Sequence, residues 1–543
     1  MKAHLGPVCA LAALTAISFF HFPGHTYLQS DTQIYVPILE RLWDSSVLAK
    51  DLVAQKPHVA FTMYDEVTLG LRRLTGMGVR EGLFLQQIFF RFAALLGVYL
   101  FGLTLQQGKA AALLVAACLG LGATIVGPAV LVVEYEPNPR TNAIALILLA
   151  TGLVAHRQHF LAGVAAGTAF LYHVPAVYPF WLSYFVLSLI PSAPDWMRRR
   201  IQGLAPMAVS VLILFLLSQW QPGVKEKQEF FATIDASLEK MMRERAPYNW
   251  ISLWPPAYIG HYLFYAAALY GAWFRLRSTL DRDVGLLLAW MPALGLLSMP
   301  VSYLLLERAK WILMPQLQPM RALLYVVAVA VILTCSAGVM AARAGRWPEA
   351  LAWFLIAYSP SSHTRTVQVL FDWSNPAFRA AALTVVLVAA CAVAASRWRR
   401  AWPALVVVAF LPYWAMPALA KVRNYPALHH AELDELSRWA REKTPREAVF
   451  LFPDMGKALV PGVFRAQALR TVYVDWKGGG QINFLRDFIK VWLPRWQETM
   501  AQGFLGDLLA YRRFDIDYVV LSKAVKGQQP VFENRRYYVY KIR

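Results

Sequence analysis

Apolar residues in this chain fall into runs of roughly bilayer length, separated by short polar or basic interruptions. The runs cover about 5–22, 83–105, 110–133, 141–155, 160–173, 175–190, 203–219, 257–274, 285–306, 322–340, 350–371, 377–395 and 403–419. A helix needs about 20 apolar residues to cross the hydrocarbon core, so the pattern predicts about thirteen spans. One helix over 160–190 would be roughly 46 Å long at about 1.5 Å per residue, too long for a single crossing. Pro175 disfavours helical geometry in the residue before it, so a break and return hairpin is expected at His173-Val174-Pro175. The run at 5–22 has the length of a signal peptide. No small-x-small site precedes Gly24, so it reads as the first span.

The polar stretches carry patterns of their own. Residues 30–43 place Ile34, Tyr35, Ile38, Leu39, Leu42 and Trp43 on one face of a helix lying along the membrane interface. A weaker helical pattern at 60–75 is closed by Gly76, and a polar helix is expected over about 226–245. From about 430 the period changes to that of an α/β module. Helices are expected at 432–443 and 484–500, and strands at 448–452, 471–476, 518–521 and 537–542. The expected division is therefore a membrane domain at 1–425 and an extracytoplasmic α/β domain at 426–543. The turn Gly478-Gly479-Gly480 lacks the spacing of a phosphate-binding loop.

Composition supports the membrane class: 58% of the 543 residues are hydrophobic and only 16% are charged. The net charge of +20 sits largely in short clusters such as Arg198-Arg199-Arg200, Arg275/Arg277 and Arg397/Arg399/Arg400. Such clusters set topology, and no nucleic-acid-binding module accompanies them, so no nucleic-acid partner is expected. With the N-terminus in the cytoplasm, loops 191–202, 275–284, 341–349 and 396–402 are inside. Loops 23–82, 134–140, 220–256 and 307–321 then face outside, with everything after about 420. Cys9, Cys118, Cys335 and Cys391 all lie in apolar runs, which leaves the C-terminal domain without a disulfide framework or a zinc site.

Several ionisable groups fall where outer loops meet spans. Ser30-Asp31-Thr32-Gln33 follows the first span; its local alternative is a capping box between Ser30 and Gln33, with Asp31 at a helix N-terminus. Glu134-Tyr135-Glu136, followed by Arg140, ends the third run. Its two carboxylates have the spacing to share a divalent cation or to orient a base, or to stand as solvated loop charges. Asp65 and Glu66 are rivals for the same role. Arg321, after Gln316-Leu317-Gln318-Pro319-Met320, suits bidentate contact with a phosphate or a snorkelling anchor. His173 stands at the predicted break. Arg91 lies within a span, where a charge is costly and marks either a function or a buried structural partner.

An acidic first outer loop, a second acidic motif after the third run and an extracytoplasmic C-terminal domain together resemble the GT-C superfamily of integral-membrane glycosyltransferases. Shorter stretches strengthen the likeness to uncharacterised bacterial GT-C-like proteins. These are Ser30-Asp31-Thr32-Gln33-Ile34-Tyr35 with Pro37, Gln318-Pro319-Met320-Arg321, Phe464-Arg465 and Val474-Asp475-Trp476-Lys477. Arg245-Ala246-Pro247-Tyr248-Asn249 is similar to an outer-loop motif that often carries histidines at its last two positions. The resemblance implies a polyprenyl-phosphate-linked sugar as donor, a glycan, lipid or protein acceptor, and Asp31 as general base or metal ligand. It places Glu134 and Glu136 in the second acidic motif. Asp31 is followed by Thr32-Gln33 and not by a second acid two residues on, as in metal-dependent members. A divalent cation (Mg or Mn) on Asp31, Glu134 and Glu136 therefore stays open.

The expected function is sugar transfer at the periplasmic face of a bacterial inner membrane. Asp31, Glu134 and Glu136 are its catalytic candidates; Arg91, Arg140, His173, Arg321 and Lys477 are its substrate-binding candidates. Arg465, Asp475 and Lys477 are expected on the facing surface of the C-terminal domain. A lipid-carrier transporter or a non-catalytic assembly scaffold is the alternative. A transporter favours internal repeats and broken helices at the midplane, whereas here the ionisable groups gather at one face.

Overall fold

The computed structural model describes residues 2–55, 62–105, 108–191, 196–220, 231–360, 411–414, 428–485 and 487–543. The predicted spans at 377–395 and most of 403–419, and the far end of 350–371, lie outside these residues. Contacts group the chain into two compact units. The first contains 1–25, 84–216 and 248–424, and the second contains 26–83, 217–247 and 425–543.

The first unit is a helix bundle. Val79–Thr104, Arg199–Trp220, Arg282–Arg308 and Met314–Arg343 are long and apolar enough to cross a membrane. Shorter apolar helices occupy Leu5–Phe20, Lys109–Gly120, Pro139–Ala155, His159–Tyr172 and Val174–Leu189. Helices also run over Pro256–Leu276 and Trp347–Tyr358. The bundle packs by close backbone approach, the device that small residues provide where lipid removes the hydrophobic drive. A Cβ on Gly152 would stand 2.2 Å from the carbonyl oxygen of Gly97, and one on Gly163 would stand 2.0 Å from that of Gly203. At one end Arg200 grips Asp283 with Nε and Nη2 at 3.1 and 2.5 Å, while its Nη1 donates to the carbonyls of Leu187 and Ile190.

The expected break at 173–175 is present. His173 is extended (φ −161°, ψ 91°) between its two helices, and its Nδ1 accepts the Ala176 N–H as an N-cap. The helices return on each other: Trp181 donates to the Ala166 carbonyl and Tyr184 meets His159. The run at 110–133 differs from expectation, because its helix stops at Gly120. Gly122 and Gly127 take φ of +73° and +93°, which end the helix and turn the chain into a hairpin. Its strands β1 (Thr124–Ile125) and β2 (Val130–Leu131) pair antiparallel.

The second unit joins two loops to the C-terminal α/β module. Helix Thr32–Trp43 buries Ile34, Val36, Ile38 and Leu39, and helix Tyr64–Thr75 ends at Gly76 in the left-handed region (φ +74°). Helix Ala236–Arg245 is capped by Asp235. Five strands follow: β3 (Val449–Leu451), β4 (Thr471–Val472), β5 (Tyr518–Leu521), β6 (Phe532–Glu533) and β7 (Tyr538–Lys541). They lie in the order β4-β3-β5-β7-β6, parallel at β4-β3-β5 and antiparallel at β5-β7-β6. Helices Ala431–Lys443, Val460–Ala468 and Phe488–Thr499 accompany the sheet. Strand β4 ends earlier than the predicted 471–476, because the chain turns at Asp475. A 3-10 turn occupies Gly478–Asn483, and the last helix begins at Phe488, later than the expected 484.

Candidate functional site

Asp31 sits at the N-terminus of helix Thr32–Trp43 but makes no side-chain cap bond. The capping box does not form: Thr32 Oγ1 accepts the Leu28 N–H, and Gln33 Nε2 donates to the Leu28 carbonyl. The Asp31 carboxylate is instead held by Lys477, whose Nζ donates to Oδ1 at 2.8 Å and to Ser30 Oγ at 2.9 Å. The Asp31 side chain keeps 30% of its surface exposed. An acid that makes no cap bond, stays partly open to solvent and pairs with Lys477 has the chemistry of a positioned base.

The turn that carries Lys477 is fastened from two sides. Arg245 donates from Nε to the Trp476 carbonyl at 2.8 Å and from Nη2 to the Lys477 carbonyl at 3.0 Å, its guanidinium lying over the Trp476 ring. Lys457 also lies over that ring and pairs with Glu244. Arg465 and Asp475 were expected on the module's surface; both are interior, each about 1% exposed. Arg465 is shared by Asp51 and Asp475, and this double pairing keeps it charged, holding its pKa above the ordinary guanidinium value despite burial. Burial with an unpaired charge would cost several kcal/mol, so only the interior pairing lets these residues sit there.

Asp65 is buried at 4% exposure. Burial first, and then the Glu66 carboxylate, raise its pKa to about 8.

In the helical unit, Glu134 Oε1 accepts from Arg140 Nε at 2.8 Å and from the Leu131 N–H at 3.1 Å. Glu136 is buried, and its carbonyl accepts from Thr141 Oγ1. Arg91 donates to the carbonyls of Ser18, Gly24 and Glu134 and covers Phe19. Its donors thus join the first helix to the acidic turn. With Glu134, Arg91 also lines a small, mostly apolar cavity of about 30 Å³, room for a water. His173 and Arg321 meet, with Nε2 and Nη1 3.1 Å apart. Because His173 Nδ1 accepts the Ala176 N–H, a neutral ring carries its proton on Nε2. A guanidinium and an imidazole placed together in this way suit contact with an anionic oxygen.

Among the described residues no group of three or more His, Cys, Asp or Glu side chains could hold a metal ion. Asp31 pairs with Lys477 and Glu134 with Arg140, and no step is routed through a cation. Sequence reasoning missed Asp51, and it noted Arg245 only within a motif. Asp51 caps the short helix that follows it through the Val53 and Ala54 N–H groups, but its partners Arg465 and Val472 lie more than 400 positions away.

The fold is a mainly α bundle with a small C-terminal mixed sheet. ArnT from Cupriavidus metallidurans, in the apo state, is a structure of this kind to which the chain is similar, with a TM-score of 0.50 at 13% identity over 99% of this chain and 98% of that one. The archaeal oligosaccharyltransferase AglB from Archaeoglobus fulgidus, solved with an inhibitory peptide and a dolichol-phosphate, aligns at TM-score 0.42 and 14% identity, over 96% of this chain and 69% of that one. A family described as a domain of unknown function (DUF6798) matches residues 431–499. That segment contains Arg465, Asp475 and Lys477. No curated protein matches the sequence.

Proposed function

We propose that the chain is a GT-C-type glycosyltransferase that moves a sugar from a polyprenyl-phosphate carrier to an acceptor hydroxyl on the periplasmic face of a bacterial inner membrane. The observation that carries this reading is the state of Asp31: a first-loop acid that makes no side-chain cap bond, stays 30% exposed and is held by a lysine from the C-terminal module. Its carboxylate accepts the proton of the acceptor hydroxyl. The freed oxygen attacks the anomeric carbon, that carbon's bond to the phosphate oxygen breaks, and the carrier phosphate leaves with the electron pair. A positioned base contributes about 10²–10⁴-fold to such a step.

Within the helical unit, Arg321 and His173 lie together and suit charge-assisted hydrogen bonds to a phosphate oxygen. Arg140 pairs with Glu134 beside the helix that begins at Pro139. The reading is tested in membranes given polyprenyl-phosphate-linked radiolabelled sugar, by comparing wild type with Asp31→Asn at equal expression. Transfer should fall at least a hundredfold. Undiminished transfer by Asp31→Asn removes Asp31 from the mechanism.

A further inference from the structure

The interior ion network of the second unit leads directly to the lysine that holds Asp31. Arg465 donates from Nε to Asp51 Oδ2 at 2.7 Å and from Nη2 to Asp475 Oδ1. Asp51 is fixed in turn by the N–H groups of Val53, Ala54 and Val472. The second oxygen of Asp475 accepts the Gly478 N–H at 2.9 Å. One carboxylate therefore binds Arg465 and closes the turn immediately after Lys477. The fit around that closure is tight. A Cβ on Gly478 would stand 2.7 Å from both Asp475 Oδ1 and Val53 Cγ2.

We propose that Arg465, acting through Asp475, is a positioning residue that sets Lys477 against Asp31; this rests on the reading of Asp31 as the base. A lysine stem has four rotatable bonds and much rotamer freedom, so its ammonium finds one carboxylate reliably only if its backbone starts from a fixed place. Asp475 fixes that place from inside and Arg245 from outside, through the carbonyls of Trp476 and Lys477. Asp51, Arg465 and Asp475 are each no more than 2% exposed at the side chain. Buried pairs are screened little by salt, so the placement persists across ionic strength.

A purely structural network would change stability and leave Lys477 in place. The test uses the full chain in nanodiscs with Arg465→Lys and Asp475→Asn. Asp475→Asn keeps the side-chain volume and the Arg465–Asp51 pair, and so provides a folded variant should Arg465→Lys fail to fold. Lys477 acylation by an amine-reactive reagent is followed by mass spectrometry, with the exposed Lys490 as internal reference. Both variants should acylate Lys477 several-fold faster with Lys490 unchanged, and transfer at saturating carrier should fall about tenfold. In a Lys477→Met background, Arg465→Lys should add no further loss of transfer. Unchanged Lys477 acylation in Asp475→Asn, or additive losses in the double variant, overturns the proposal. Failure of the transferase reading shows separately, as absence of transfer by wild type, and acylation alone then decides the positioning.

Discussion

Gly479→Ala is the most informative single change in the second unit. A methyl group at that position would lie 2.3 Å from Trp492 Cζ2, 2.6 Å from Cε2 and 2.9 Å from Cη2. Trp492 has nowhere to go. It is about 1% exposed, stacks on Trp496 at 5.6 Å and donates from Nε1 to the Asp475 carbonyl at 3.0 Å. Overpacking of this kind costs about 1–3 kcal/mol, and losing the indole hydrogen bond adds about 1 kcal/mol. The expected total is about 2–4 kcal/mol. Every ~1.4 kcal/mol is a tenfold change in an equilibrium, so amide protection in β3 and β5 should fall about 30- to 700-fold in hydrogen–deuterium exchange. In a Trp492→Leu background the methyl enters vacated space, and the same change should cost less than about 0.5 kcal/mol. Equal losses in both backgrounds would refute the steric argument.

Arg465→Met should be among the most damaging substitutions in this unit. It leaves two buried carboxylates, Asp51 and Asp475, without their shared cation, a loss of about 3–5 kcal/mol that thermal melts report. Asp65→Asn should flatten the pH dependence of unfolding. The folded carboxyl titrates at about 8 and the unfolded one near its ordinary value. Between about pH 4 and 8 the folded chain therefore binds the extra proton, and stability falls as pH rises through that window. Melting midpoints at pH 5 and 8.5 that differ equally in wild type and Asp65→Asn would contradict this. Gly152→Val should lower the yield of detergent-stable protein sharply, since its Cβ would meet the Gly97 backbone, which cannot rotate away as a side chain can; size-exclusion profiles report it.

Periodicity made most of the bundle legible, along with the break at His173, the end of the loop helix at Gly76 and strand β5. These features depend on neighbours in sequence. It failed where glycine chemistry overrode hydrophobicity, as in the continuous apolar run at 110–133, where Gly122 and Gly127 convert the second half into a hairpin. Helix Val460–Ala468 is not among the expected elements, since Pro461 and Gly462 weaken the helical pattern in its first turn. Here the proline occupies the first helical turn, and Gly462 makes room for Gln33, whose Oε1 would stand 2.2 Å from a Cβ. The site was legible as residue types and not as pairs. Asp31 and Lys477 were both candidates, but 446 positions separate them, and no short-range pattern couples them.

That separation explains how the site is built. Loop closure becomes costlier only slowly with length, about 0.6 kcal/mol per doubling, so contacts between residues 31 and 477 or 51 and 465 are not forbidden by distance along the chain. What they need is enough contact to offset the ordering of three separate segments. The structure supplies it twice: through apolar contact among Val47, Leu48, Ala54 and Leu469, and through Asp51, whose carboxylate serves loop amides with one oxygen and Arg465 and strand β4 with the other. Each half completes the other, since the module gives Asp51 the Arg465 guanidinium and the Val472 N–H, and loop one gives Arg465 its second carboxylate. The placement of the candidate base therefore forms together with the folding of the C-terminal module. The spans need only their own helical hydrogen bonds and neighbours, and can assemble before that module is complete.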